Sequence, residues 1–377
     1  MFFLEYIWLD VDNNFRTKVK TTQKKEVNLE TLEQWDFDGS STGQASGHDS
    51  EVIIKPYSYI IDNDKNNYYY VFCECYNPNG IPHKTNTRHQ ANIFFEQDNV
   101  KSLEPMFGIE QEFFVFKNGK PLIWNDENTE AQGNYYCGNG SKYINGREFL
   151  EYTVKKLIKM KINITGYNFE VAPGQMEIQI CDKGIKASDD LIMARFFLKR
   201  QAEMYYGWDI DFTPKPHFLG TEKWNGSGCH VNFSTNKIRE PSINTPLSSL
   251  YDTCKLIAKM KYYHTIDIDN FGSENNKLRL CGKNETSSYN SFTYGIANRG
   301  SSIRIPRTFV KNLKGYIEDR RPGSDMDPYI TTKIICNYAI ENNNNNKNEI
   351  ENVSEIKESI QQLFSEIIEK HYNFVFN

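Results

Sequence analysis

The 377-residue sequence lacks several features that would place it in common functional classes. Its first residues have no basic region before the apolar stretch, and Glu5 and Asp10 interrupt that stretch, so they are not typical of a signal peptide. No apolar run approaches the roughly 20 residues that cross a bilayer. The sequence contains neither GxGxxG nor GxxxxGK[ST], so a bound nucleotide would not be held by a P-loop. These absences predict a cytoplasmic protein with no membrane partner.

An excess of positive charge is also missing. The chain has 44 Lys and Arg against 49 Asp and Glu, a net charge of -5, which argues against nucleic-acid binding because phosphate neutralisation needs clustered cations. The eight cysteines are scattered without paired zinc spacing, and we expect free thiols. Cys73 and Cys75 alternate along a strand-like segment, so they are predicted to face one side of a sheet.

Hydrophobic periodicity divides the chain into two predicted domains. Residues 1–85 read as a small β domain, with strands at 2–10, 14–20, 51–56 and 68–76 and a long Gly- and Ser-rich loop at 29–50. Residues 86–377 read as a larger domain of the α+β class, in which helices flank a mainly antiparallel sheet. Its predicted strands are 107–116, 164–171, 175–180, 228–235 and 301–307, and its predicted helices are 86–98, 146–161, 187–206, 247–264, 328–341 and 352–371. An Asn-rich loop at 341–349 precedes the last helix.

Four glutamates stand where hydrophobic residues are expected. Glu110 and Glu112 are two apart in the apolar strand FGIEQEFFVF, so period 2 places both on one face. Glu170 and Glu177 occupy a hairpin around Pro173-Gly174 and can project to one side of it. Each of these residues alone is more simply explained as a solvated carboxylate. On a buried strand, however, paired like charges are unfavourable unless a cation offsets them.

Two further residues complete a candidate metal-binding set. His230 lies in the strand-like segment GCHVNFS and Glu318 in GYIEDRRP, where a structural histidine and a simple salt bridge are the plain alternatives. Taken together, five glutamates and one histidine form an oxygen-rich donor set that suits Mg²⁺ or Mn²⁺ better than zinc. Two such ions bridged by a polyphosphate commonly neutralise charge in phosphoryl transfer.

Arginines are concentrated in the last third of the chain. Arg304 sits between Ile303 and Ile305 in a strand-like segment, where an unpaired guanidinium would be costly, although a lone arginine run usually marks a solvated surface. Guanidinium groups suit phosphate and carboxylate oxygens, so the set favours phosphoryl transfer between a nucleotide and a carboxylate. The arginines concerned are Arg279, Arg299, Arg304, Arg307, Arg320 and Arg321.

From about residue 5 to residue 340 the chain resembles the glutamine synthetase family in the order and spacing of its motifs. The match is closest to the eukaryotic type, and the loop STGQASGHDSEVIIKP is similar to plant sequences. The resemblance implies a β-grasp-like N-terminal domain and a catalytic domain with a curved sheet. The motifs are WDFDGSSTGQ (35–44), FGIEQEF (107–113), EVAPGQMEIQ (170–179), NGSGCHVNFST (225–235), NETS (284–287), ANRGSSIRIPR (297–307) and GYIEDRRPGSDMDPY (315–329).

The resemblance also implies roles for single residues. The implied ligands of a first metal are Glu112, Glu170 and Glu177, and those of a second metal are Glu110, His230 and Glu318. The implied glutamate-binding residues are Asn225, Gly226, Arg279 and Arg320. The implied ATP-binding residues are Glu177, Asn232, Phe233, Ser234, Arg299 and Arg304. The residues implied to act in catalysis are Asp38, Glu285, Arg299 and Arg320.

The implied reaction joins ammonia to L-glutamate with ATP, through a γ-glutamyl phosphate that gives glutamine, ADP and phosphate. Asp38 would bind ammonium and remove its proton, and Glu285 would close a flap that keeps water from the acyl phosphate. The family implies homo-oligomeric rings, a decamer in the eukaryotic type, in which the Asp38 loop completes a neighbouring subunit's site. Mg²⁺ or Mn²⁺, two or three ions, and ATP are therefore expected, with glutamate and ammonium as the other substrates.

The sequence departs from the family pattern at the flap. It reads GKNETS, so Lys283 and Asn284 stand where GFHETS or GHHETA is usual, while Glu285 is kept. Two other functions stay open at this stage. One is a ligase that joins glutamate to a larger amine or to cysteine, and the other is an inactive structural relative.

Overall fold

The structure is a computed structural model that describes residues 1–24, 26–124, 130, 132–216, 224–242, 247–340, 358 and 361–369. Contacts between Cα atoms divide it into two compact units: Met1–Phe94 with Lys156–Ile162, and Phe95–Lys155 with Asn163–Asn377. The first unit thus extends past the predicted boundary at residue 85. Within this unit, Arg88 on the first helix forms a 2.8 Å ion pair with Glu74 on the preceding strand.

The first unit contains a five-stranded sheet in the order β2-β1-β5-β4-β3. The neighbouring strands β1 and β5 are parallel, and the remaining pairs are antiparallel. The predicted strands are confirmed, and Cys73 and Cys75 both lie in the hydrophobic core of this unit, as expected from their alternation. The strands are β1 Phe2–Leu9, β2 Phe15–Thr22, β3 Trp35–Asp38, β4 Glu51–Ile61 and β5 Tyr68–Tyr76.

The prediction of one long loop at 29–50 is wrong in its middle. Strand β3 and a 3-10 helix, Gly39–Thr42, occupy that segment. Alternation in the short sequence WDFD explains the strand, because Phe37 is buried opposite Val52 on β4 while its neighbours Asp36 and Asp38 are exposed. A four-residue strand between Gly- and Ser-rich segments gives too weak a pattern to recognise in advance.

The second unit contains a larger, mainly antiparallel sheet with the order β12-β13-β14-β11-β6-β9-β8; β7 and β10 also pair with β6. Among the described strands of this second sheet, only β12 and β13 pair in parallel. The predicted α+β class with a mainly antiparallel sheet is confirmed. The strands are β6 Met106–Lys117, β7 Lys120–Pro121, β8 Ile164–Phe169, β9 Gln175–Lys183, β10 Asp209–Asp211, β11 Cys229–Ser234, β12 Tyr294–Ile296, β13 Ile303–Ile305 and β14 Ile317–Asp319.

The α-helices lie between and after these strands. Two predictions need correction: the helix expected to reach residue 206 changes to a π-helix at Ala202–Tyr206, and the strand expected at 301–307 ends at Ile305, where Pro306 caps a further helix. The helices are α1 Thr87–Phe95, α2 Asp98–Lys101, α3 Arg147–Lys159, α4 Ile185–Gln201, α5 Asn236–Arg239, α6 Leu247–Tyr262, α7 His264–Asp267, α8 Asn276–Arg279, α9 Arg307–Asn312 and α10 Pro328–Asn337.

Residues 358 and 361–369 are helical and fall inside the predicted C-terminal helix. The rest of that prediction and the Asn-rich loop lie outside the described residues. All eight cysteines are described, and none forms a disulfide, as expected. Within the described ranges, no helix combines the length and apolar character needed to cross a membrane.

Candidate active site

The six residues of the candidate metal-binding set lie together on one face of the larger sheet. They form two groups, and within each group three ligand atoms lie within 4.8 Å of one another. Strand register explains this arrangement, because His230 on β11 lies opposite Glu110 on β6, and Glu177 on β9 lies opposite Glu112. The groups are Glu112, Glu170 and Glu177, and Glu110, His230 and Glu318.

The first group is a set of three buried carboxylates. Burial, together with the charge of Glu170, raises the pKa of Glu112 to about 8, and burial raises the pKa of Glu170 to about 7. Burial and the neighbouring carboxylates raise the pKa of Glu177 to about 9. Burial is the largest cause of all three shifts, so charging all three carboxylates is unfavourable here without a nearby positive charge. A divalent cation would supply that charge.

Amide groups orient the carboxylates of this first group. Gln175 Nε2 donates to Glu112 Oε2 at 3.1 Å, and Gly228 N donates to the same oxygen at 2.9 Å. Asn168 Nδ2 donates to Glu170 Oε1, and Gln179 Nε2 donates to Glu177 Oε1, both at 2.8 Å. The sequence reasoning missed these three amides. Asn168 lies two residues before Glu170, and Gln175 and Gln179 lie two residues on either side of Glu177, so alternation could have identified them.

The second group surrounds a buried imidazole. His230 Nδ1 lies 3.5 Å from Glu110 Oε2, 3.7 Å from Glu318 Oε1 and 3.8 Å from Glu112 Oε1, so it stands between the two groups. Burial, followed by the positive charge of Arg320, holds the pKa of His230 well below its usual range. A neutral imidazole retains the lone pair that a metal requires. Three carboxylates in the first group, and two carboxylates with one neutral imidazole in the second, therefore fit Mg²⁺ or Mn²⁺.

Two arginines contact the buried carboxylate of Glu318. Arg304 Nη1 donates to Glu318 Oε2 at 2.6 Å, and Arg320 Nη1 donates to Glu318 Oε1. The sheet register brings Arg304 on β13 opposite Glu318 on β14. The salt bridge that sequence offered as the plain alternative for Glu318 is therefore present. A carboxylate oxygen of Glu318 nevertheless lies within 4.8 Å of ligand atoms of His230 and Glu110.

The flap glutamate is tied to the same arginine-rich region. Arg299 Nη2 lies 2.7 Å from Glu285 Oε2, and Arg320 donates to the Glu285 carbonyl at 3.4 Å and to the Arg299 carbonyl at 3.0 Å. Asn284 and Glu285 both have positive φ, 53° and 65°. Asparagine tolerates this left-handed conformation better than most residues, which is consistent with its presence at this departure from the family pattern.

Close packing surrounds the glycines of the NGSG segment. A Cβ on Gly226 would come within 2.3 Å of the Pro214 carbonyl oxygen and 2.5 Å of Arg279 Cγ. A Cβ on Gly228 would come within 2.5 Å of His230 Nε2. Asn225 is buried and accepts a hydrogen bond from Gln132. Larger residues at either glycine would displace groups that build the site.

Arg279 is buried and bound largely by backbone. Its Nε donates to Asn276 Oδ1 at 2.8 Å, and its Nη2 donates to the carbonyls of Arg320, Arg321 and Pro322 at 2.7–3.1 Å. These contacts hold the segment after β14 in place. The predicted contact of Arg279 with a substrate carboxylate stays a prediction, and a structural contribution is evident as well.

The three residues predicted to border the nucleotide do not all lie on one face of β11. Asn232 donates to Glu110 Oε1 at 2.8 Å and so shares the face of the metal-binding set. Phe233 lies on the opposite face, fully buried, with its ring 5.1 Å from that of Phe107. Ser234 is buried and accepts from Arg239 at 3.2 Å. Any contact of Phe233 with a nucleotide would therefore use its backbone.

Asp38 belongs to the first unit. Its carboxylate accepts hydrogen bonds from the Ser40 amide at 3.0 Å and from the hydroxyls of Ser40 and Ser41 at 2.6 and 3.0 Å. These bonds lower the pKa of Asp38, which is exposed. Its carboxylate is thus anionic at neutral pH. Its predicted role in a neighbouring subunit's site stays a prediction.

Comparison with known protein families agrees with this arrangement. The family model described as glutamine synthetase, catalytic domain, matches residues 84–352, and the model described as glutamine synthetase, beta-Grasp domain, matches residues 1–78. The second match confirms the β-grasp-like fold that the resemblance implied for the N-terminal domain.

Similar proteins carry the same family name. Proteins named glutamine synthetase from Candida glabrata and Agaricus bisporus are each 42% identical to this chain, over 91% and 89% of it and 91% and 92% of their own lengths. One from Saccharomyces cerevisiae is 41% identical over 88% of this chain and 87% of its own length. These fungal relatives confirm the predicted eukaryotic type.

A solved structure shows the same fold. The cryoEM structure of Plasmodium falciparum glutamine synthetase superimposes with a TM-score of 0.72 at 20% identity, covering 90% of this chain and 71% of that chain. At this identity the likeness concerns the fold alone. On the family models and the fungal relatives, the chain belongs to the glutamine synthetase family.

Proposed function

We propose that the chain joins ammonia to the side-chain carboxylate of L-glutamate, using ATP and passing through γ-glutamyl phosphate, to give L-glutamine, ADP and phosphate. The observation that carries the proposal is the convergence of two carboxylate-rich groups and a pair of arginines on one sheet face. The chemistry needs such a site, because a carboxylate cannot be attacked by ammonia until its oxygen becomes part of a good leaving group.

Metal binding is the first part of the proposal. Glu112, Glu170 and Glu177 would hold one Mg²⁺ or Mn²⁺, and Glu110, His230 and Glu318 another. When bound, the ions would neutralise charge on the nucleotide phosphates and on the phosphoryl group in transfer. The side-chain amides of the site orient the carboxylates of Glu112, Glu170 and Glu177. Burial of these carboxylates limits the access of water to them.

Substrate binding would use the residues around this set. Arg299 and Arg304 would contact phosphate oxygens, while Asn232 and Ser234, with the backbone of Phe233, would border the nucleotide. The proposed glutamate site consists of Asn225, Gly226, Arg279 and Arg320. Arg320 reaches Glu318 and the carbonyl of flap residue Glu285, so it would connect substrate binding with the flap.

The flap would close over the acyl phosphate through an ion pair that can open. Glu285 and Arg299 are joined at 2.7 Å, but both side chains are partly exposed, 40% and 47%. Exposed ion pairs contribute little stability, about 0–1 kcal/mol. The contact therefore can be exchanged for one between Arg299 and phosphate when ATP binds. Such an exchange suits a lid that must admit substrates and exclude water.

Ammonium would be held by the Asp38 carboxylate of a neighbouring subunit in a ring assembly, a decamer in this proposal. Hydrogen bonds from the two serines lower the Asp38 pKa, so the carboxylate is available to bind a cation. An anion facing ammonium would both attract it and accept its proton. A cytoplasmic location is part of the same proposal.

Assay of the purified chain tests the function. Glutamine formation is measured by chromatography with ATP, glutamate, ammonium and Mg²⁺ or Mn²⁺, omitting each component in turn. Product that requires all four components supports the proposal. Product with ethanolamine or a polyamine in strong preference to ammonium would instead identify a ligase of a different amine.

Two variants separate catalysis from folding. Glu177→Gln removes one carboxylate charge from the site and should abolish product, whereas Glu33→Gln changes an exposed glutamate of the first unit and should retain activity. A wild-type protein inactive with every divalent metal would support a structural role and contradict the proposal.

A further inference from the structure

An ion pair lies on the reverse face of the strand that carries Glu318. Along β14 and the residue pair that follows it, Glu318 and Arg320 point toward the candidate site, where they contact each other. Asp319 and Arg321 alternate with them and point the other way, and both are 0% exposed. A fully buried guanidinium and carboxylate are costly to desolvate, so their presence under the site calls for a physical explanation.

Asp319 fixes both the backbone and the side chain of Arg321. Its Oδ1 accepts from the Arg321 amide at 3.0 Å and from Arg321 Nε at 2.9 Å, and its Oδ2 accepts from Arg321 Nη2 at 2.6 Å. The guanidinium also lies 4.7 Å from the Phe271 ring centroid and 5.3 Å from that of Phe292. These contacts hold the Arg321 side chain in one orientation relative to Asp319.

The backbone around this pair is held on both sides. The Arg320 amide donates to the Ser302 carbonyl at 2.9 Å, and the Cys229 amide donates to the Pro322 carbonyl at 2.9 Å. The Arg321 carbonyl accepts from Asn276 Nδ2 at 3.0 Å and from Arg279 Nη2 at 2.7 Å. A shift of Arg321 would therefore move the chain on which Glu318 and Arg320 stand.

We propose that the Asp319–Arg321 ion pair is a positioning element that sets the direction of Glu318 and Arg320, and through Glu318 the affinity of the second metal group. This inference rests on the proposed function, because it assumes that Glu318 with Glu110 and His230 binds a divalent cation. The pair touches no substrate. It acts by restricting the backbone conformation at the end of β14, directly after Glu318.

Stability alone explains the pair less well. Replacing both members of a buried ion pair by uncharged residues is often neutral for stability, while removing one member is strongly destabilising. A pair that served only stability could therefore be exchanged as a unit without a change at the site. A positioning pair could not, because the uncharged replacements would not reproduce the forked hydrogen bonds between Arg321 and Asp319.

The test is Mn²⁺ binding to D319N/R321M, measured by calorimetry and electron paramagnetic resonance on the full chain. The side-chain amide introduced by D319N would keep an acceptor for the backbone amide of residue 321 while both charges are removed. We expect a folded protein in which one class of Mn²⁺ site is weakened at least tenfold and the other is unchanged. The Glu318→Gln variant identifies the weakened class as the one containing Glu318.

A matched control is D62N/K156M, which removes another buried ion pair, with Lys156 Nζ 2.8 Å from Asp62 Oδ1, in the first unit. It should bind Mn²⁺ as the wild type does. If D319N/R321M fails to fold, Arg321→Lys is the variant to test. Lysine keeps the positive charge but cannot form the two guanidinium hydrogen bonds to Asp319. We expect its Mn²⁺ affinity at the Glu318 group to fall at least threefold.

Two results would overturn the proposal in distinguishable ways. Wild-type Mn²⁺ affinity in a folded D319N/R321M, or in Arg321→Lys where the double variant does not fold, would contradict positioning while leaving the proposed function intact. A wild-type chain that binds no Mn²⁺ would contradict the proposed metal site itself.

Discussion

Glu112 and Glu177 lie directly opposite each other on the antiparallel strands β6 and β9, and both are buried. Like charges in this relationship destabilise a sheet. Each carboxylate accepts a hydrogen bond from a glutamine, Gln175 or Gln179, which reduces but does not remove the repulsion. A pair that weakens the free protein in this way is best explained by a ligand that requires it.

Divalent metal should therefore stabilise the protein. At a free Mn²⁺ concentration 100 times its dissociation constant, one site adds about 2.7 kcal/mol to the free energy of unfolding. We expect Mn²⁺ to raise the Tm of the wild type in differential scanning calorimetry, and EDTA to reverse the increase. In Glu177→Gln the increase should shrink, because one group loses a charged ligand. An equal increase in both proteins would argue against this group as a metal site.

Substitutions of Glu318 should distinguish its contribution to phosphoryl transfer from its contribution to the stability of the fold. Glu318→Ala should abolish phosphoryl transfer, and it should also affect folding because Glu318 lies between Arg304 and Arg320. Breaking a buried ion pair typically costs about 3–5 kcal/mol, so we expect Glu318→Ala to unfold more readily than the wild type.

Glu318→Gln is the sharper variant because it keeps a hydrogen-bond acceptor between the two arginines. It should lower the rate of glutamine formation at least about 100-fold, the scale on which one preorganised group contributes to catalysis. The loss of stability should be smaller than in Glu318→Ala, as measured by chemical denaturation. Near-wild-type activity in Glu318→Gln would contradict the two-metal proposal.

The sequence predicted which six residues converge in the candidate metal-binding set better than it predicted the local structure around them. Glu110, Glu112, Glu170 and Glu177 disrupt otherwise hydrophobic strands, and that disruption is visible in one dimension. The division of six ligands into two groups came from the family resemblance, and the register of β6 with β9 and β11 supplies its physical basis. Such register depends on long-range pairing that no local pattern encodes.

Other features could not be read from sequence for a different reason. Phe233 stands in the motif expected to border a nucleotide, yet its side chain packs on Phe107, because strand alternation sends it to the reverse face. Likewise Arg321 belongs to the arginine set that favoured phosphoryl transfer, yet its side chain is buried against Asp319 and against rings distant in sequence. Burial of a charge is decided by partners that only the folded chain brings together.

Packing predicts that Gly226 cannot be replaced. In Gly226→Ala the new methyl group would overlap the Pro214 carbonyl, and overpacking of this kind typically costs about 1–3 kcal/mol. We expect lower Tm together with a raised KM for glutamate. Gly47→Ala is the matched control, because an added Cβ there has no atom within 4 Å, and its Tm should stay close to that of the wild type. A Gly226→Ala variant with wild-type kinetics would show that this backbone can move.

Stability should fall as the pH drops through the range where His264 would gain a proton. Its Nδ1 lies 3.4 Å from Arg321 Nη1, which can only donate, and its Nε2 lies 3.0 Å from the Tyr289 carbonyl, which can only accept. These partners select the neutral ring, and burial, followed by the charge of Arg321, lowers the pKa of His264.

The lowered pKa of His264 determines the direction in which stability changes with pH. Above the unfolded pKa of about 6.5 the imidazole is neutral in both states, and below it the unfolded chain gains a proton that the folded chain resists. The free energy of unfolding should thus decrease by up to about 1.4 kcal/mol per pH unit below pH 6.5 from this residue. Denaturation of wild type and His264→Gln at pH 7.5 and 5.5 measures the difference, which should be smaller in the variant. Equal pH dependence would exclude His264 as a source.

The alternation along β6 has a consequence for how this enzyme can change in evolution. Odd and even positions of one strand serve two separate purposes, with Glu110 and Glu112 on one face and the fully buried Ile109, Gln111 and Phe113 on the other. Inserting a single residue between Glu110 and Glu112 would reverse the faces of all later residues of β6. The Glu112 carboxylate would then enter the core, and the Phe113 ring would face the substrates. An insertion in a connecting loop leaves this alternation unchanged, so we expect loops to tolerate added residues far better than the middle of this strand does.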